Sequence, residues 1–533
     1  MIPLFTAAQV KRAEEVTIQS GVTEAELMLR AGAAIADFIE ASAIDADKAV
    51  ILCGPGNNGG DGLVIASQLI EYGWNVSIWS WSRDGEETAP VDRDVLKSMQ
   101  RLTSKPELHA LMNDADVVVD AVFGAGSRAQ LPDEVVEAFD IVREVQKRRY
   151  LEIWAVDLPS GLDADSGEIA EGALHADVTA MIGLPKIGAY KMPGASFTGE
   201  FRAIDIGLSL PDNIDETVPY LVTSSAVRPL LPQRRAGVHK RSAGSLLVVG
   251  GAPNYYGAPR LAGEAALRTG AGLVSVAAPS SIISSIATAV PELTFVPLPV
   301  SEHPSAGKKM ASIVRENESG MNAMVIGPGL GTDAPVPEFL AQLLGFDQST
   351  RSGIGFGSHP SAEHVEPFSG RAVLDADALN WLSGRDEWWT TLQRAELVLT
   401  PHAGELGRLL GIERGEVEGD PWKHALDAAR KFGQVVVLKH AYTVIAAPDG
   451  QLFVANRAPI GLATAGTGDV LSGMIGAFLA QGLDPRSASV AAVELGLAAV
   501  AEAEALHGRV GYLATDIIRE IPASRERIQR PSS

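Results

Sequence analysis

The sequence contains very little cysteine. Cys53 is the only one among 533 residues, which excludes an internal disulfide framework and favours a reducing compartment. It ends an apolar run (AVILC, 49–53), where a thiol behaves as a small apolar side chain. We therefore expect Cys53 to fill space at the end of a buried strand, with a reactive thiol as the alternative.

The chain is also poor in positive charge. Lys and Arg number 44 against 66 Asp and Glu, which gives a formal net charge of −22. Nucleic acids and anionic membrane surfaces bind basic proteins, so we expect neither as a partner. Backbone amides can still bind the phosphates of a mononucleotide in a protein of this charge.

Long apolar segments are missing as well. The longest charge-free stretch, residues 269–291, carries two prolines and five serines, which is typical of strand, turn and helix rather than of a membrane span. The first residues, MIPLFTAAQVKRAEEV, show no apolar segment behind a basic start, so no signal peptide is predicted. These absences predict a cytoplasmic protein.

Two series of apolar segments alternate with helical patterns, and a chain of this length is expected to form two or more domains. Near-continuous apolar strands separated by helices predict parallel sheets covered on both faces. The predicted strands are 48–53, 74–81, 114–123, 152–159 and 177–184, then 245–251, 272–279, 322–331, 371–379, 396–401 and 435–447. Helices are predicted at 8–21, 24–42 and 258–272.

A proline-rich segment without sustained periodicity, 209–235, separates the two series. We therefore predict one domain over residues 1–215, a linker over 216–235 and a second domain over 236–525. The polar, glycine-rich segment 345–370 is predicted to form a long surface loop.

The segment GPGNNGGDG (54–62) has five glycines in nine positions, between an apolar strand and an apolar helix. A helix N-terminus that follows glycines is a natural anion site. Gly54, Gly56 and Gly59 match the dinucleotide fingerprint, but the acidic residue expected about 20 positions further on is absent. A Walker loop is excluded because no Gly-Lys-Ser/Thr follows. The loop is predicted to bind a phosphate-bearing ligand, but not in the ordinary Rossmann manner.

Three aspartates lie at or just after predicted strand ends, where open parallel sheets bind their ligands. They are Asp61, Asp120 and Asp157. Each carboxylate could instead cap the following helix or turn; this alternative is open for Asp61 and weaker for Asp120. A buried carboxylate at Asp120 needs a partner. A monovalent cation bound by Asn58, Asp120 and the hydroxyl of Ser160 would provide one.

The first half resembles the NAD(P)H-hydrate epimerase family over residues 1–215. The resemblance rests on GPGNNGGDG, DAVFGAG (120–126) and VDLPSGLDADSG (156–167), preceded by LMLRAG (27–32). It implies a Rossmann-like three-layer αβα domain, acid–base work by Asp157 on a bound substrate, and a potassium site formed by Asn58, Asp120 and Ser160. It also implies that the hydrated dinucleotide contacts Asn57, Asn58, Gly59, Gly60, Asp61, Gly124, Ala125, Gly126, Ser127, Arg128, Ala129 and Gln130.

In the second half, TAGTGDVLSG (464–473) precedes an apolar helical pattern. Its glycines and the helix N-terminus predict an anion hole that contains Asp469. A carboxylate beside a bound phosphate is unfavourable unless it acts as a base, so Asp469 is predicted to deprotonate a hydroxyl that attacks a phosphoryl group. Simple N-capping by Asp469 is the alternative.

Five further motifs accompany this loop: GGAPNYYGAP (250–259), GPGLG (327–331), LDADAL (374–379), LTPHAGEL (399–406) and VLKHAYT (437–443). Together they resemble the ribokinase-like superfamily over residues 236–525, most closely its ADP- or ATP-dependent NAD(P)H-hydrate dehydratase branch. The resemblance implies Asp469 as catalytic base, Gly468 in the anion hole, and contacts to the hydrate from Ala258, Gly331, His402 and Asp469. It implies nucleotide contacts from Lys439, His440, Ala441, Tyr442 and Thr443.

Two positions depart from the pattern of that branch. His440 stands where the family usually has glycine, and Ala403 stands where it often has proline. Neither change removes a reacting group. The resemblance further implies Mg²⁺ together with the nucleotide, ADP rather than ATP as the donor because both halves are fused, and a homo-oligomer.

Both resemblances point to one small-molecule substrate, hydrated NADH or NADPH. The first half is expected to interconvert its R and S forms, and the second to dehydrate the S form. One alternative is a ribokinase-like small-molecule kinase with a non-catalytic dinucleotide-binding first half. A second alternative is a binding module, because relatives of the first half serve as scaffolds in mRNA decapping.

Overall fold

The computed structural model describes residues 1–42, 46–82, 89–91, 100–102, 105–126, 130–210, 218–234, 237, 239–346 and 365–530. The chain divides into two compact units: Pro3–Val218, and Pro219–Ser533 together with Met1–Ile2. The division lies inside the segment 216–235 that the sequence predicts as a linker. Part of that segment has regular structure in the second unit, where Tyr220–Leu221 pairs with Leu452–Val454. The predicted loop 345–370 lies largely outside the described residues.

The strands follow one another in chain order. They are β1 (Ile2–Pro3), β2 (Lys48–Cys53), β3 (Asn75–Ser80), β4 (Gln100–Leu102), β5 (Val117–Ala121), β6 (Glu152–Val156), β7 (Val178–Ile182), β8 (Glu200–Ile204), β9 (Tyr220–Leu221), β10 (Ser245–Val249), β11 (Leu273–Pro279), β12 (Thr294–Leu298), β13 (Ala323–Ile326), β14 (Arg371–Leu374), β15 (Glu396–Leu399), β16 (Val435–Leu438), β17 (Val444–Ala446) and β18 (Leu452–Val454).

The helices of the described residues are numbered in the same way. They are α1 (Ala7–Gln19), α2 (Glu24–Ser42), α3 (Asn57–Glu71), α4 (Lys105–Met112), α5 (Asp133–Gln146), α6 (Ser224–Val227), α7 (Gly257–Thr269), α8 (Ser280–Ala289), α9 (Ala306–Glu318), α10 (Pro335–Leu344), α11 (Asp377–Ser383), α12 (Trp388–Thr391), α13 (Ala403–Leu410), α14 (Arg414–Gly419), α15 (Pro421–Phe432), α16 (Thr467–Ala480), α17 (Pro485–His507) and α18 (Ala514–Gln529).

The first unit is a three-layer αβα structure. Its parallel sheet has the order β4-β3-β2-β5-β6-β7-β8 in the described residues. Alternate residues of the central strands point to opposite faces. Ile51 and Val119 pack with α2 and α3 on one face, whereas Leu52 and Val118 pack with α5 on the other. Cys53 is fully buried in the first of these clusters, as expected.

The sheet of the second unit has the order β1-β9-β18-β17-β16-β15-β14-β13-β10-β11-β12 in the described residues. Its β10–β16 part is parallel, and one face packs against α7, α16, α17 and α18. The predicted single strand 435–447 is wrong: the chain turns after Leu438 and returns antiparallel as β17. The turn places Lys439 and its neighbours at the sheet end.

The α/β prediction is confirmed for both units. Several strands end earlier than predicted, for example at Ile326 instead of 331 and at Leu374 instead of 379. The surplus residues after Ile326 form a loop, and those after Leu374 form a short connection and the start of α11. In the part of the chain that the structure describes, no helix combines the length and the apolar character needed to cross a membrane.

Candidate active sites

A cavity of about 1030 Å³ in the first unit opens beyond the carboxyl ends of β2, β5, β6 and β7. This is the edge at which parallel α/β sheets bind ligands. Its wall brings together eight of the residues predicted from the sequence: Asn57, Asn58, Asp61, Gly124, Ala125, Gly126, Gln130 and Asp157. Gly59 and Gly60 are buried in α3 instead, and Ser127, Arg128 and Ala129 lie outside the described residues.

Asp157 directly follows β6 and has a left-handed backbone conformation, with φ of 68°. Such a conformation is unusual for a residue other than glycine. Its Oδ2 accepts a hydrogen bond from the amide of Ala125 at 3.1 Å, and its Oδ1 accepts one from the amide of Ile182 at 3.3 Å. The ammonium group of Lys186, which is 1% exposed, also donates to Oδ1. Three donors therefore hold the carboxylate in place.

Asp61 has different surroundings in the same cavity wall. Gly56 is the N-cap of α3 and Asp61 is its fifth residue, so the helix-capping alternative is wrong for this side chain. Burial raises the pKa of Asp61 well above its usual range, and the carboxylates of Asp157 and Glu14 add to the effect while Lys186 opposes it. Asp61 is thus a buried carboxyl group that faces a ligand-sized cavity.

Asp120 lies behind this wall and is 1% exposed. It accepts hydrogen bonds from the amide of Ser160 at 2.8 Å, from the Ser160 hydroxyl at 2.6 Å and from the amide of Val122 at 3.3 Å. Burial raises the pKa of Asp120 to about 6, although these hydrogen bonds lower it. No cationic side chain pairs with it among the described residues, and the side-chain nitrogen of Asn58 is buried without a described partner.

A potassium ion fits this chemistry. Asn58, Asp120 and Ser160 all supply side-chain oxygens, the donor type that hard cations prefer. A cation would also compensate the buried charge of Asp120, which is otherwise unfavourable. Because the oxygen and nitrogen of an Asn amide are assigned rather than observed, turning the Asn58 amide would present its oxygen where the unpartnered nitrogen now lies.

The glycines of residues 54–62 have different functions. A Cβ at Gly54 would lie 2.0 Å from the carbonyl oxygen of Val122, and one at Gly62 would lie 2.8 Å from the Cβ of Ala121. A Cβ at Gly56 would meet nothing within 4 Å, and Gly56 lines the cavity. Packing at the sheet edge therefore explains Gly54 and Gly62, and Gly56 is left as a position where a ligand can approach the backbone.

The second unit places Asp469 at the start of α16. Gly466, with φ of 92°, is the N-cap and Asp469 is the third helical residue, so the N-capping alternative is wrong here too. Burial raises the pKa of Asp469 to about 7; the carboxylates of Asp375 and Asp377 add to this effect and Lys439 opposes it. A carboxyl group with this pKa exchanges protons readily near neutral pH.

The ammonium group of Lys439 lies near two carboxylates and near Gly468 of the glycine loop. Its Nζ lies 2.8 Å from Oδ1 of Asp375 and 4.0 Å from Oε2 of Glu405. A Cβ at Gly468 would lie 3.4 Å from the same nitrogen. The Ser472 hydroxyl also donates to Asp375. Burial lowers the pKa of Lys439, but the two carboxylates outweigh burial and the pKa is raised, so this ammonium group keeps its charge beside the loop.

The residues predicted to contact the hydrate surround this network. His402 caps α13, and its Nδ1 accepts hydrogen bonds from the amides of Gly404 and Glu405 at 3.0 and 3.3 Å. Burial and the charge of Lys439 lower the pKa of His402, so it is neutral. The amide of Gly331 donates to Asp377 at 2.8 Å.

Ala258 approaches the same loop from α7. A Cβ at Gly329, in the loop that carries Gly331, would lie 3.1 Å from the Cβ of Ala258. Asp377 therefore interacts with both the Gly331 loop and Asp469, because it accepts the Gly331 amide and its charge raises the pKa of Asp469. The charge of Lys439 lowers the pKa of both His402 and Asp469.

A second cavity, of about 540 Å³, borders the glycine loop of the second unit at Thr467 and Gly468. Five predicted nucleotide contacts line it, and most of its remaining lining is aliphatic, including Ile460 and Leu497, which suits a nucleobase. The five are Lys439, His440, Ala441, Thr443 and Gly468. Tyr442 is buried outside the cavity lining. Burial lowers the pKa of His440, so a neutral imidazole occupies this wall.

Comparison with protein families assigns the two halves separately. Residues 246–523 match the model described as NAD(P)H-hydrate dehydratase, and residues 24–188 match the model described as YjeF-related protein N-terminus. The bifunctional NAD(P)H-hydrate repair enzyme Nnr of Moorella thermoacetica is 34% identical, with 97% of this chain and 96% of that protein covered. The chain belongs to the family of bifunctional NAD(P)H-hydrate repair enzymes.

The chain is similar to two further proteins. The bifunctional NAD(P)H-hydrate repair enzyme Nnr of Escherichia coli is 33% identical, over 96% of this chain and 92% of that protein. A crystal structure of the ADP/ATP-dependent NAD(P)H-hydrate dehydratase from Bacillus subtilis, co-crystallised with ATP and Mg²⁺, is 28% identical with a TM-score of 0.47. It covers 58% of this chain and 99% of that one.

Sequence reasoning missed four residues of these sites. Lys186 follows β7 in an unremarkable segment, and nothing in the sequence pairs it with Asp157. Asp375 and Glu405 lie beside Lys439, and Ser472 donates a hydrogen bond to Asp375. The motifs LDADAL, LTPHAGEL and TAGTGDVLSG contain these three side chains, so membership of these motifs was the signal that could have identified them. Asp375 also directly follows a strand end.

Proposed function

We propose that this chain repairs hydrated NADH and NADPH in two steps. The first unit interconverts the R and S hydrates, and the second dehydrates the S form at the expense of ADP, giving AMP and phosphate. The main support is that one chain, which matches the bifunctional family along its whole length, contains both a cavity around Asp157 and a glycine loop around Asp469 and Lys439. One substrate links the two.

In the first unit the substrate's nicotinamide ring lies against Asp157, which accepts and returns a proton during epimerisation. The Gly124–Gln130 loop and the start of α3 contact the rest of the dinucleotide, where backbone amides at a helix N-terminus favour phosphate. Asn58, Asp120 and Ser160 would hold K⁺, which supplies positive charge beside the buried carboxylate.

In the second unit Asp469 takes the proton of the C6 hydroxyl while that oxygen attacks the terminal phosphoryl group of ADP. Lys439 and the amide of Gly468 bind the transferred phosphoryl oxygens and stabilise their charge. The C6–O bond then breaks and phosphate leaves, because the ring nitrogen donates its electron pair. Loss of a proton from C5 restores NADH or NADPH.

Mg²⁺ would neutralise charge on the nucleotide phosphates. No group of three His, Cys, Asp or Glu side chains forms a metal cage among the residues that the structure describes. This suits an ion that is held mainly by the phosphates of its nucleotide. We expect Ala258, Gly331 and His402 to contact the hydrate, and residues 439–443 to contact the nucleotide.

Three finer expectations complete the proposal. The fusion of both halves favours ADP over ATP as phosphoryl donor, the protein acts in the cytoplasm, and it forms a homo-oligomer. The acidic charge of −22 supports small-molecule substrates over nucleic acid or membrane partners.

The test follows absorbance at 340 nm with a mixture of R and S hydrates and either ADP or ATP. We expect full recovery of NADH from both forms with one of the nucleotides. Recovery of the S fraction alone, beyond what spontaneous epimerisation supplies, would contradict the assignment of the first unit. No recovery with either nucleotide would favour a small-molecule kinase instead.

A further inference from the structure

Two carboxyl groups line the cavity of the first unit in opposite environments. Asp157 accepts hydrogen bonds from Lys186 and from the amides of Ala125 and Ile182. Asp61 is 8% exposed, and no hydrogen-bond donor reaches its carboxyl group among the described residues. One carboxylate is therefore held by donors, while the other is desolvated and faces the ligand space directly.

The charges around Asp61 come from three other elements. Glu14 lies on α1, Asp157 follows β6 and Lys186 follows β7. Burial is the largest influence on the pKa of Asp61, the carboxylates of Asp157 and Glu14 raise it further, and Lys186 lowers it. A desolvated carboxyl group beside a negative neighbour keeps its proton, as in enzymes that use two carboxyl groups for different functions.

We propose that Asp61 is the general acid of the epimerisation and that Asp157 is its general base. This inference rests on the proposed function of the first unit and adds a second catalytic residue to it. Inversion at C6 requires a proton on the departing oxygen and removal of a proton from the arriving one, so one acid and one base meet the requirement.

Epimerisation by these two carboxyl groups conserves protons and electrons. Asp61 donates its proton to the C6 hydroxyl, the C6–O bond breaks and water leaves, while the lone pair of the ring nitrogen N1 forms the C6=N1 bond of an iminium ion. Water then adds to the opposite face of C6 and gives a proton to Asp157, and the C6=N1 electrons return to N1. Transfer of that proton from Asp157 to Asp61 through solvent resets the site without net consumption.

The test uses the full chain and pure R hydrate, with ADP and an excess of a separate S-specific dehydratase, so that epimerisation limits the rate. Asp61→Asn keeps the shape of the protonated acid but cannot donate a carboxyl proton. We expect kcat to fall about 10²–10⁴-fold with little change in KM. Since a general acid must be protonated, wild-type kcat/KM falls at high pH, and this alkaline limb should disappear in Asp61→Asn.

Three variants keep the test decisive. Asp140→Asn makes the same change at an exposed position of the first unit and should behave as wild type. Asp61→Glu retains an acid and should shift the alkaline limb without removing it, which also covers the case in which Asp61→Asn does not fold. Glu14→Gln removes a carboxylate that raises the pKa of Asp61, so it should shift the alkaline limb to lower pH while kcat stays far above that of Asp61→Asn.

Wild-type kcat and an unchanged pH profile in Asp61→Asn would overturn the assignment of Asp61 as the acid. A large loss of kcat in Glu14→Gln, with none in Asp61→Asn, would overturn it as well. If the wild-type chain itself leaves R hydrate unconverted, the proposed epimerase function fails, which is a different result. Dehydration of pure S hydrate by each variant reports on the second unit independently.

Discussion

The ammonium group of Lys439 lies 2.8 Å from a carboxylate oxygen of Asp375, and each of the two residues directly follows a strand of the same parallel sheet. Asp375 follows β14 and Lys439 follows β16, with Glu405 reaching the same ammonium group from α13. The carboxyl ends of parallel strands meet at one edge, so this edge places a positive charge beside the first turn of α16, which contains Gly468 and Asp469.

The first prediction separates two functions of Lys439. Lys439→Gln leaves the buried Asp375 without its ion pair, which destabilises the second unit by roughly 3–5 kcal/mol, and it removes the charge that we propose binds the transferred phosphoryl group. The double variant Lys439→Gln/Asp375→Asn should regain most of the stability. It should not regain dehydration of S hydrate, which we expect to stay about 10²–10³-fold below wild type.

The readouts for this prediction are thermal unfolding and NADH formation from pure S hydrate. Lys423→Gln, which removes an exposed ion pair with Asp427, is the matched control and should leave both unchanged. Recovery of activity together with stability in the double variant would mean that Lys439 only neutralises Asp375.

The second prediction concerns the pH dependence of dehydration. The base that we propose, Asp469, must be ionised to accept a proton, and its pKa is raised to about 7 by burial and by neighbouring carboxylates. With pure S hydrate, kcat/KM should therefore fall about tenfold per unit as the pH decreases below that value. Asp469→Asn should show no such limb and very low activity. A rate that stays constant down to pH 5 would contradict a base with this pKa.

The third prediction concerns potassium. Burial raises the pKa of Asp120 to about 6, from about 3.9 in an unfolded chain, so its ionisation opposes folding as the pH rises through this window. A bound cation would offset that loss. K⁺ should therefore raise the melting temperature of the first unit more at pH 8 than at pH 5.

Asp120→Asn should abolish this difference, because an amide does not ionise. Na⁺ at equal ionic strength is the control for general salt effects. An equal response of wild type and Asp120→Asn to K⁺ would exclude Asp120 from the cation site.

The fourth prediction compares two glycines of the same loop. A Cβ at Gly54 would lie 2.0 Å from the Val122 carbonyl oxygen, whereas one at Gly56 would meet nothing within 4 Å. Gly54→Ala should therefore destabilise the first unit by about 3 kcal/mol or more, because backbone must move. Gly56→Ala should stay within about 1 kcal/mol of wild type in denaturant unfolding. Equal effects would contradict the packing explanation for Gly54.

Much of the fold follows from local patterns. The central strands are continuous apolar runs such as KAVILC, which a parallel sheet with two covered faces requires. The strand ends were less predictable: the run 435–447 is apolar on both sides of Lys439, so hydrophobicity alone did not reveal the turn that places this lysine beside Asp375. A short strand such as β12 carries too weak a pattern to predict alone.

The active-site residues were likewise only partly predictable from the sequence. Asp157 and Asp469 stand in recognisable motifs, whereas the partners that determine their environment are distant in sequence. Lys186 is 29 residues from Asp157, and Asp375 is 64 residues from Lys439. Their pairing depends on the order of the strands in the sheet, and strand order is a property of the fold rather than of any short segment.

The most direct test of the two-step function uses pure R hydrate, ADP and absorbance at 340 nm. Wild type should form NADH, whereas Asp157→Asn and Asp469→Asn should each form almost none. A mixture of the two variants should recover the reaction, because each supplies the step that the other lacks. If the mixture stays inactive while Asp469→Asn alone still interconverts the hydrates, or if Asp157→Asn turns over R hydrate like wild type, the assignment of the two steps to these two carboxylates is wrong.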